Sequence, residues 1–131
     1  MAELSYPEDL RYTEDHEWAR KEGDVLVVGI TSFAQSQLGD VVYVDLPDVG
    51  KEVKAGSDFG VVESTKAVSE LLSPVDGTVT ERNTPLIDAP ETVNEDPYGK
   101  GWMIKVKPAD PGAFDKLMDA KAYAEFVSKQ G

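Results

Sequence analysis

The chain has 131 residues, enough for one domain with a buried core, and its 40% hydrophobic content is ordinary for a globular protein. Its 25 acidic and 13 basic residues give a formal net charge of -12, which disfavours binding to nucleic acid and to anionic membranes because both are negatively charged. The same charge fits either simple solubility or steering towards basic surfaces on partner proteins. With no cysteine, the chain has no disulfide and no thiol for redox chemistry.

The N-terminal segment, residues 1–10, lacks the basic start and the apolar stretch of a secretory signal peptide. No apolar run in the sequence reaches the length that spans a bilayer. We therefore expect a cytoplasmic protein, or a mitochondrial-matrix protein if the chain is the processed form of a eukaryotic one.

The first predicted element is a β-hairpin. Pro7 favours an extended lead-in over residues 6–11 because it fixes φ and disfavours helix in the residue before it. Residues 17–20 and 25–30 are predicted to pair across a turn at residues 22–24. The second of these strands is apolar enough to be buried on both faces.

A short helix and two strands follow. Thr31 is a suitable N-cap, and Gly39 ends the helical spacing of apolar residues after about two turns. Residues 40–46 are rich in strand-favouring residues and stop at Pro47. Residues 51–54 are predicted to form a further short strand.

The central hairpin carries the residue on which the functional interpretation depends. Two apolar pairs, Val61-Val62 and Leu71-Leu72, flank a short polar run, which predicts two buried strands joined by an exposed turn. Lys66 lies at the tip of that turn between small neighbours, where a modifying enzyme can reach its ammonium group. On these residues alone, Lys66 is either the target of such an enzyme or a solvated hairpin lysine.

The last third of the chain returns to the sheet and then becomes helical. Residues 78–82 are predicted as a strand, and residues 83–101 as a loop-rich excursion with one helical turn at 91–93. Residues 102–106 form the last predicted strand. Two helices are expected over about 110–128, the first of them capped by Asp110 with Pro111 at its first position.

These elements predict a single domain over residues 1–131. The expected fold is mainly β: a flattened sandwich or barrel with a core over about residues 24–107 and with short peripheral and C-terminal helices. The large aromatic residues, among them Trp18, Phe33 and Tyr43, are expected in the core or at its rim.

Several classes of catalytic site are not supported. His16 is the one histidine and there is no cysteine, so the nitrogen and sulfur ligands of a zinc site are missing. Neither a Gly-x-Ser-x-Gly nucleophile elbow nor a glycine-rich phosphate loop occurs. We therefore assign no catalytic and no metal-binding residue, and interpret His16 as a structural or cleft residue.

Seven motifs along the chain resemble those of the glycine cleavage system H proteins, a family of lipoyl carriers. The motifs are Tyr12-Thr13-Glu14-Asp15-His16-Glu17-Trp18, Val28-Gly29-Ile30-Thr31, Leu38-Gly39-Asp40-Val41-Val42, Leu46-Pro47-Asp48-Val49-Gly50, Glu63-Ser64-Thr65-Lys66-Ala67, Asn94-Glu95-Asp96-Pro97-Tyr98-Gly99 and Gly101-Trp102-Met103-Ile104. They occur in order and cover nearly the whole chain.

The resemblance implies a barrel-sandwich hybrid of the lipoyl/biotinyl type with lipoate in amide linkage on Lys66. Glu63, Ser64, Thr65 and Ala67 would then form the modification motif around that lysine. The lipoate would supply the dithiol that a cysteine-free chain lacks, and acylation would neutralise the lysine.

The implied activity is that of a shuttle with no catalysis of its own. The lipoyl arm would take an aminomethyl group from glycine at a pyridoxal-phosphate decarboxylase, the P protein, and deliver it to a folate-dependent aminomethyltransferase, the T protein. Dihydrolipoamide dehydrogenase, the L protein, would reoxidise the dithiol. A lipoate ligase, or a lipoyl or octanoyl transferase, would load the lysine. We expect the carrier to be a monomer.

The resemblance also implies an acidic cleft. The carried group ends in a primary amine that is cationic and open to hydrolysis, so a protective acidic cleft is expected on the carrier. The family's His-Glu-Trp motif places Glu17 in that cleft, together with His16, Asp15 and Glu70. Asp15 stands where many family members have serine.

Other carriers fit the tip less well. A biotinyl carrier would normally show Met-Lys-Met, and a lipoyl domain of a 2-oxoacid dehydrogenase complex would tend to show Asp-Lys-Ala followed by a linker. A relay protein that hands lipoate to other acceptors, or a simple binding module, stays open as an alternative. Co-purified partners and reconstitution with glycine separate these classes.

Overall fold

The protein is built from two antiparallel β-sheets in the computed structural model, which describes residues 6–130. The strands are β1 (Arg11–Tyr12), β2 (Glu17–Glu22), β3 (Val25–Ile30), β4 (Val41–Asp45), β5 (Glu52–Val53), β6 (Asp58–Ser64), β7 (Val68–Leu72), β8 (Gly77–Arg82) and β9 (Ile104–Pro108). The larger sheet has the order β1-β2-β3-β9-β8-β5, and the smaller has the order β4-β6-β7. The predicted mainly β fold is confirmed.

Four α-helices lie outside the sheets in the described part of the chain. They are α1 (Ser32–Leu38), α2 (Thr84–Asp88), α3 (Thr92–Glu95) and α4 (Ala120–Gln130). Between residues 6 and 130, no helix is long and apolar enough to cross a membrane. The segment tested above for a signal peptide is residues 1–10, and residues 1–5 of it lie outside the described part of the chain.

Strand β3 is the centre of the larger sheet, between β2 and β9. Leu26, Val28 and Ile30 face the core between the two sheets, whereas Val27 belongs to a second buried cluster that contains Tyr123 of α4. Because alternate residues of a strand point to opposite faces, β3 is buried on both, as predicted.

Helix α1 begins and ends at the predicted residues. Thr31 is its N-cap, and the Thr31 Oγ1 accepts a hydrogen bond of 3.2 Å from the backbone N–H of Ala34. Gly39 closes the helix with φ of 81°, a conformation that favours glycine, and donates its N–H to the carbonyl of Gln35. The helix is short, so packing against the sheets must hold it in place.

The segment 83–101 holds more helix than predicted. The prediction of one helical turn at 91–93 is borne out in part by α3, but α2 was missed. Pro85 lies in the first turn of α2, where the missing N–H of proline costs no helical hydrogen bond, so a residue that commonly marks turns is compatible with this helix.

The final strand lies two residues later than predicted. β9 runs to Pro108 and pairs with β8 as far as Gly77. On its other side the pairing with β3 extends only to Val106, so the absent N–H of Pro108 breaks no ladder bond there.

The predicted first C-terminal helix is wrong. Residues 110–118 contain a single 3-10 turn, Phe114–Lys116, and Leu117 is already extended. Met118 then pairs with Tyr12 through two backbone hydrogen bonds of 2.8 and 3.0 Å, which holds this segment against β1 rather than in a helix. The second predicted helix is α4, which begins after Asp119, whose carboxylate accepts the N–H of Ala122.

Candidate functional site

The hairpin of β6 and β7 presents Lys66 at its tip. Ser64 closes the turn, because its N–H donates to the carbonyl of Ala67 at 2.8 Å and its Oγ accepts the N–H groups of Lys66 and Ala67 at 3.3 and 3.0 Å. Ser64 is buried, whereas Thr65, Lys66 and Ala67 are exposed. A fixed backbone thus carries an accessible lysine side chain, as the sequence predicted.

The tip is also fastened to the start of β4. The N–H of Thr65 donates to the carbonyl of Asp40 at 3.1 Å. The Lys66 Cε lies 3.5 Å from the position that a Cβ atom on Gly39 would occupy, and the Lys66 Cδ lies at 4.0 Å. The lysine stem therefore passes over Gly39, the residue that ends α1.

Glu63, the first residue of the modification motif, lies beside the tip on the outer face of the smaller sheet. Glu63 is half-buried and pairs with Tyr43 on one side and with Val68 on the other. Tyr43 is 47% exposed and Val68 is 67% exposed. The expectation that Tyr43 lies in the core or at its rim is wrong, because a bulge between Val41 and Tyr43 leaves the ring on the solvent face of β4.

A cavity of about 760 Å³ lies between β2, α1 and the β6–β7 hairpin. Its polar side carries Asp15, His16, Glu17 and Glu70, so the structure brings together all four of the predicted cleft residues. Its apolar side is lined by Ile30, Phe33, Leu38 and Leu71. No lysine or arginine within the described residues lines it, so its local charge has the sign that suits a cationic ligand.

Glu17 is the buried member of this group, with only 3% of its surface exposed. Its Oε1 accepts the hydroxyl of Thr13 at 3.1 Å, and its Oε2 accepts the N–H of Leu72 at 3.4 Å. Burial raises the pKa of Glu17 to about 8, against the smaller lowering effect of these hydrogen bonds. At pH 7, Glu17 is therefore mostly a neutral carboxylic acid.

A turn built on Thr13 presents the acidic side of the cavity. The Oγ1 of Thr13 accepts the N–H groups of Asp15 and Glu17, both at 3.2 Å. The carbonyl of Thr13 accepts the N–H of His16 at 3.1 Å. The short polar side chain thus fixes the backbone of the three residues that precede or begin β2.

His16 occupies a left-handed conformation with φ of 70°, which is uncommon for a residue other than glycine. Its carbonyl accepts the N–H of Thr31 at 3.0 Å, and its Nδ1 lies 2.8 Å from the hydroxyl of Tyr123. The same hydroxyl lies 2.8 Å from the Oγ1 of Thr31, the N-cap of α1. Tyr123 of the C-terminal helix therefore contacts both His16, which lines the cavity, and the N-cap of α1, the helix that forms another wall of it.

The prediction from sequence missed three contributors to this region. Phe33 and Leu38 were recognised as helical apolar residues, but the helical spacing does not show which of them face a cavity. Tyr123 falls within the second predicted C-terminal helix, and no local pattern connects it to His16. No group of three or more His, Cys, Asp and Glu side chains placed to hold a metal ion was found in residues 6–130.

Comparison with known proteins identifies the family. Residues 10–130 match the family model described as Glycine cleavage H-protein. A glycine cleavage system H protein of Anaeromyxobacter sp. (strain K) is 65% identical over 127 residues, which cover 97% of this chain and 99% of the relative. The H protein of Bacillus subtilis (strain 168) is 54% identical over 126 residues, with 96% of this chain and 99% of the relative covered.

A solved structure agrees with this assignment. The crystal structure of a glycine cleavage system H protein from Mycobacterium marinum has a TM-score of 0.83 and 44% sequence identity, and the match covers 95% of this chain and 98% of that chain. The two sheets of the present chain thus form a lipoyl-type β sandwich. The chain belongs to the glycine cleavage H-protein family.

Proposed function

We propose that this chain is the lipoyl carrier of a glycine cleavage system. Lipoate amide-linked to Lys66 would move an aminomethyl group from glycine decarboxylase, the P protein, to the aminomethyltransferase, the T protein. The observation that supports this most is the path of the Lys66 stem over Gly39, at the end of helix α1, from which Phe33, Ala34, Gln37 and Leu38 line the acidic cavity. The anchor therefore lies at the end of a helix that forms one wall of a cavity of about 760 Å³.

The residues present fit the lipoyl group. When bound, lipoate would supply a disulfide that is reduced as one of its sulfurs takes up the aminomethyl group; after that group has been passed on, dihydrolipoamide dehydrogenase, the L protein, would reoxidise the remaining dithiol. Phe33, Leu38 and Leu71 offer apolar contacts to a hydrocarbon arm, and their burial against it would hold the arm in the cavity. The exposed tip at Lys66 leaves the amine open to the lipoate ligase, or the lipoyl or octanoyl transferase, that attaches the group.

Glu17, with Asp15 and Glu70 nearby, would hold the amine of the carried group. A cationic amine favours the ionised form of a neighbouring carboxyl, so its arrival lowers the pKa of Glu17 from about 8. Glu17 then releases its proton and pairs with the ammonium inside a cavity with apolar walls, where such a pair is screened less than in water. Bulk water is kept from the labile group by the same walls.

The chain acts as a carrier and contributes no catalytic residue in this proposal. Its net charge of -12 would steer it towards basic surfaces on the enzymes of the system and keep copies of the chain apart as monomers. The relatives reported above come from bacteria, which supports a cytoplasmic location for this chain.

The attachment site is tested by intact mass. The apo protein is incubated with lipoate, ATP and a lipoate-protein ligase, and Lys66→Arg is compared with Lys54→Arg, which changes another exposed lysine. We expect one lipoyl increment on the wild type and on Lys54→Arg, and none on Lys66→Arg. A lipoyl increment on Lys66→Arg would place the attachment elsewhere.

The carrier role is tested by reconstitution with the P protein. Lipoylated wild type should support release of carbon dioxide from glycine, and apo protein or Lys66→Arg should not. A lipoylated protein that supports no glycine decarboxylation would instead favour the lipoate-relay role or the lipoyl domain of another complex.

A further inference from the structure

Asn94 joins helix α3 to the segment that connects α1 with β4. Its Nδ2 donates to the carbonyl of Gly39 at 2.8 Å, and its Oδ1 accepts the N–H of Val41, also at 2.8 Å. Both polar ends of one carboxamide are thus used on backbone groups that lie two residues apart. Such a two-point contact fixes the position of the peptide groups between them more firmly than one bond would.

The residue between these two contacts supports the hairpin tip. Asp40 accepts the N–H of Thr65, the neighbour of Lys66, at 3.1 Å. Gly39 lies under the Lys66 side chain, with the Cε at 3.5 Å from its absent Cβ. Asn94 therefore holds a stretch of backbone that contacts both the turn and the stem of the lysine.

We propose that Asn94 is a positioning residue for the enzymatic acylation of Lys66. It keeps residues 39–41 in place, so that the Thr65 amide and the lysine stem are presented in one geometry to the enzyme that attaches lipoate. The proposal rests on the proposed function of Lys66 as the lipoate acceptor. Enzymatic acyl transfer depends steeply on alignment, and small misplacements of the nucleophile cost large factors in rate.

A second asparagine provides a matched control. The Nδ2 of Asn83 donates to the carbonyls of Lys100 and Trp102 at 2.8 and 2.6 Å, so it also joins two backbone groups with one carboxamide. Asn83 is buried and stands at the N-cap position of α2 without a side-chain capping bond, and no hydrogen bond connects it to residues 39–41 or to the tip within the described part of the chain. Its replacement should cost stability without moving Lys66.

The experiment compares Asn94→Asp with Asn83→Asp. Aspartate keeps an acceptor for Val41 but places an oxygen against the Gly39 carbonyl, so the contact at residue 39 is lost. The apo proteins are acylated by a lipoate-protein ligase with lipoate and ATP, and kcat/KM is measured by intact mass. Hydrogen exchange of the Thr65 amide is followed by NMR. The alanine variants of both residues replace the aspartate variants if either of those does not fold.

We expect Asn94→Asp to lower kcat/KM by about tenfold and to speed exchange of the Thr65 amide, and we expect Asn83→Asp to change neither. Equal kcat/KM for Asn94→Asp and wild type, unchanged exchange at Thr65, or an equal loss in Asn83→Asp would overturn the proposal. Wild type that is not acylated at Lys66 would instead overturn the proposed function.

Reaction of Lys66 with a small succinimidyl acetate separates alignment from reactivity. This reagent needs an accessible amine and no particular turn geometry, so its rate should be the same in wild type and Asn94→Asp. A tenfold loss with the small reagent as well would show that the variant changes the amine itself, and would contradict a positioning role.

Discussion

The hydroxyl of Tyr123 lies 2.8 Å from the Nδ1 of His16. The pair joins the C-terminal helix to the edge of the acidic cavity, and His16 keeps its unusual backbone conformation beside it. The C-terminal helix thus supports one of the residues that line the cavity, although it lies far from Lys66 in the sequence.

Removal of that hydroxyl tests whether α4 maintains the cavity. Tyr123→Phe should cost about 1–2 kcal/mol of stability and shorten the lifetime of the aminomethylated protein, because His16 and the cap of α1 lose a shared partner. Tyr12→Phe is a matched control: its ring stacks on Tyr123 with centroids 4.6 Å apart, and its hydroxyl donates to Pro7 at 2.6 Å, away from the cavity. Urea unfolding and the rate of formaldehyde release measure the two effects. Equal lifetimes in both variants would argue against this role of Tyr123.

Glu17→Gln should speed hydrolysis of the aminomethylated protein and leave lipoylation of Lys66 intact. Glutamine retains the size of the side chain but cannot become the anion that pairs with an ammonium group. Glu14→Gln is the control, because Glu14 is exposed and does not line the cavity. The lifetimes of the loaded forms are compared at pH 7, and the same lifetime in Glu17→Gln and wild type would remove Glu17 from the protective role.

The pKa of Glu17 predicts a pH dependence of stability in the unloaded protein. The folded value of about 8 is above the ordinary value of 4.5, so the folded state binds the proton more tightly than the unfolded state does. The contribution to stability is complete below pH 4.5 and is lost as the pH rises from there to about 8, by at most about 5 kcal/mol.

This dependence is measured by urea unfolding at several pH values between 5 and 9, with ¹³C NMR titration of the Glu17 carboxyl. The difference in stability between Glu17→Gln and wild type should shift steadily in favour of the variant as the pH rises. A constant difference, or a Glu17 titration near pH 4.5, would show that the carboxyl is not held neutral by burial.

Gly29 is predicted to tolerate no side chain. A Cβ atom there would lie 2.7 Å from the indole ring of Trp18, whose Nε1 donates to the carbonyl of Pro97 at 3.0 Å. Gly29→Ala must displace this buried ring, which should cost about 1–3 kcal/mol. Gly23→Ala, at φ of 64° with open space around it, should cost about 1 kcal/mol through backbone strain alone. Urea unfolding measures both losses, and a loss well below 1 kcal/mol in Gly29→Ala would mean that the Trp18 ring moves aside freely.

Much of the fold could be predicted from local patterns in the sequence. Thr31 and Gly39 bound a helix because capping and a positive φ are properties of single residues and their neighbours. The β6–β7 hairpin followed from apolar pairs around a polar turn. These signals need no knowledge of the rest of the molecule.

The sequence-based predictions were wrong where contacts between distant residues determine the local structure. Residues 110–118 have helical spacing and a suitable cap, yet Met118 pairs with Tyr12, more than 100 residues away in sequence, and the segment forms turns and one 3-10 turn in place of an α-helix. Tyr43 was expected in or beside the core on residue type alone, whereas its position on β4 depends on a bulge. Asn94 and Tyr123 have no local pattern that links them to Lys66 or His16, so only the folded structure shows these contacts.

One hairpin supplies both the anchor of the arm and part of the cavity that would receive it. Lys66 is at its tip, and Ser69, Glu70 and Leu71 on β7 line the cavity. The separation between the tether and its resting place is therefore set by the number of residues in two short strands. One residue added to each strand would move the tether outward by about 3.3 Å, so the length of this hairpin sets how far a group attached to Lys66 must reach to enter the cavity.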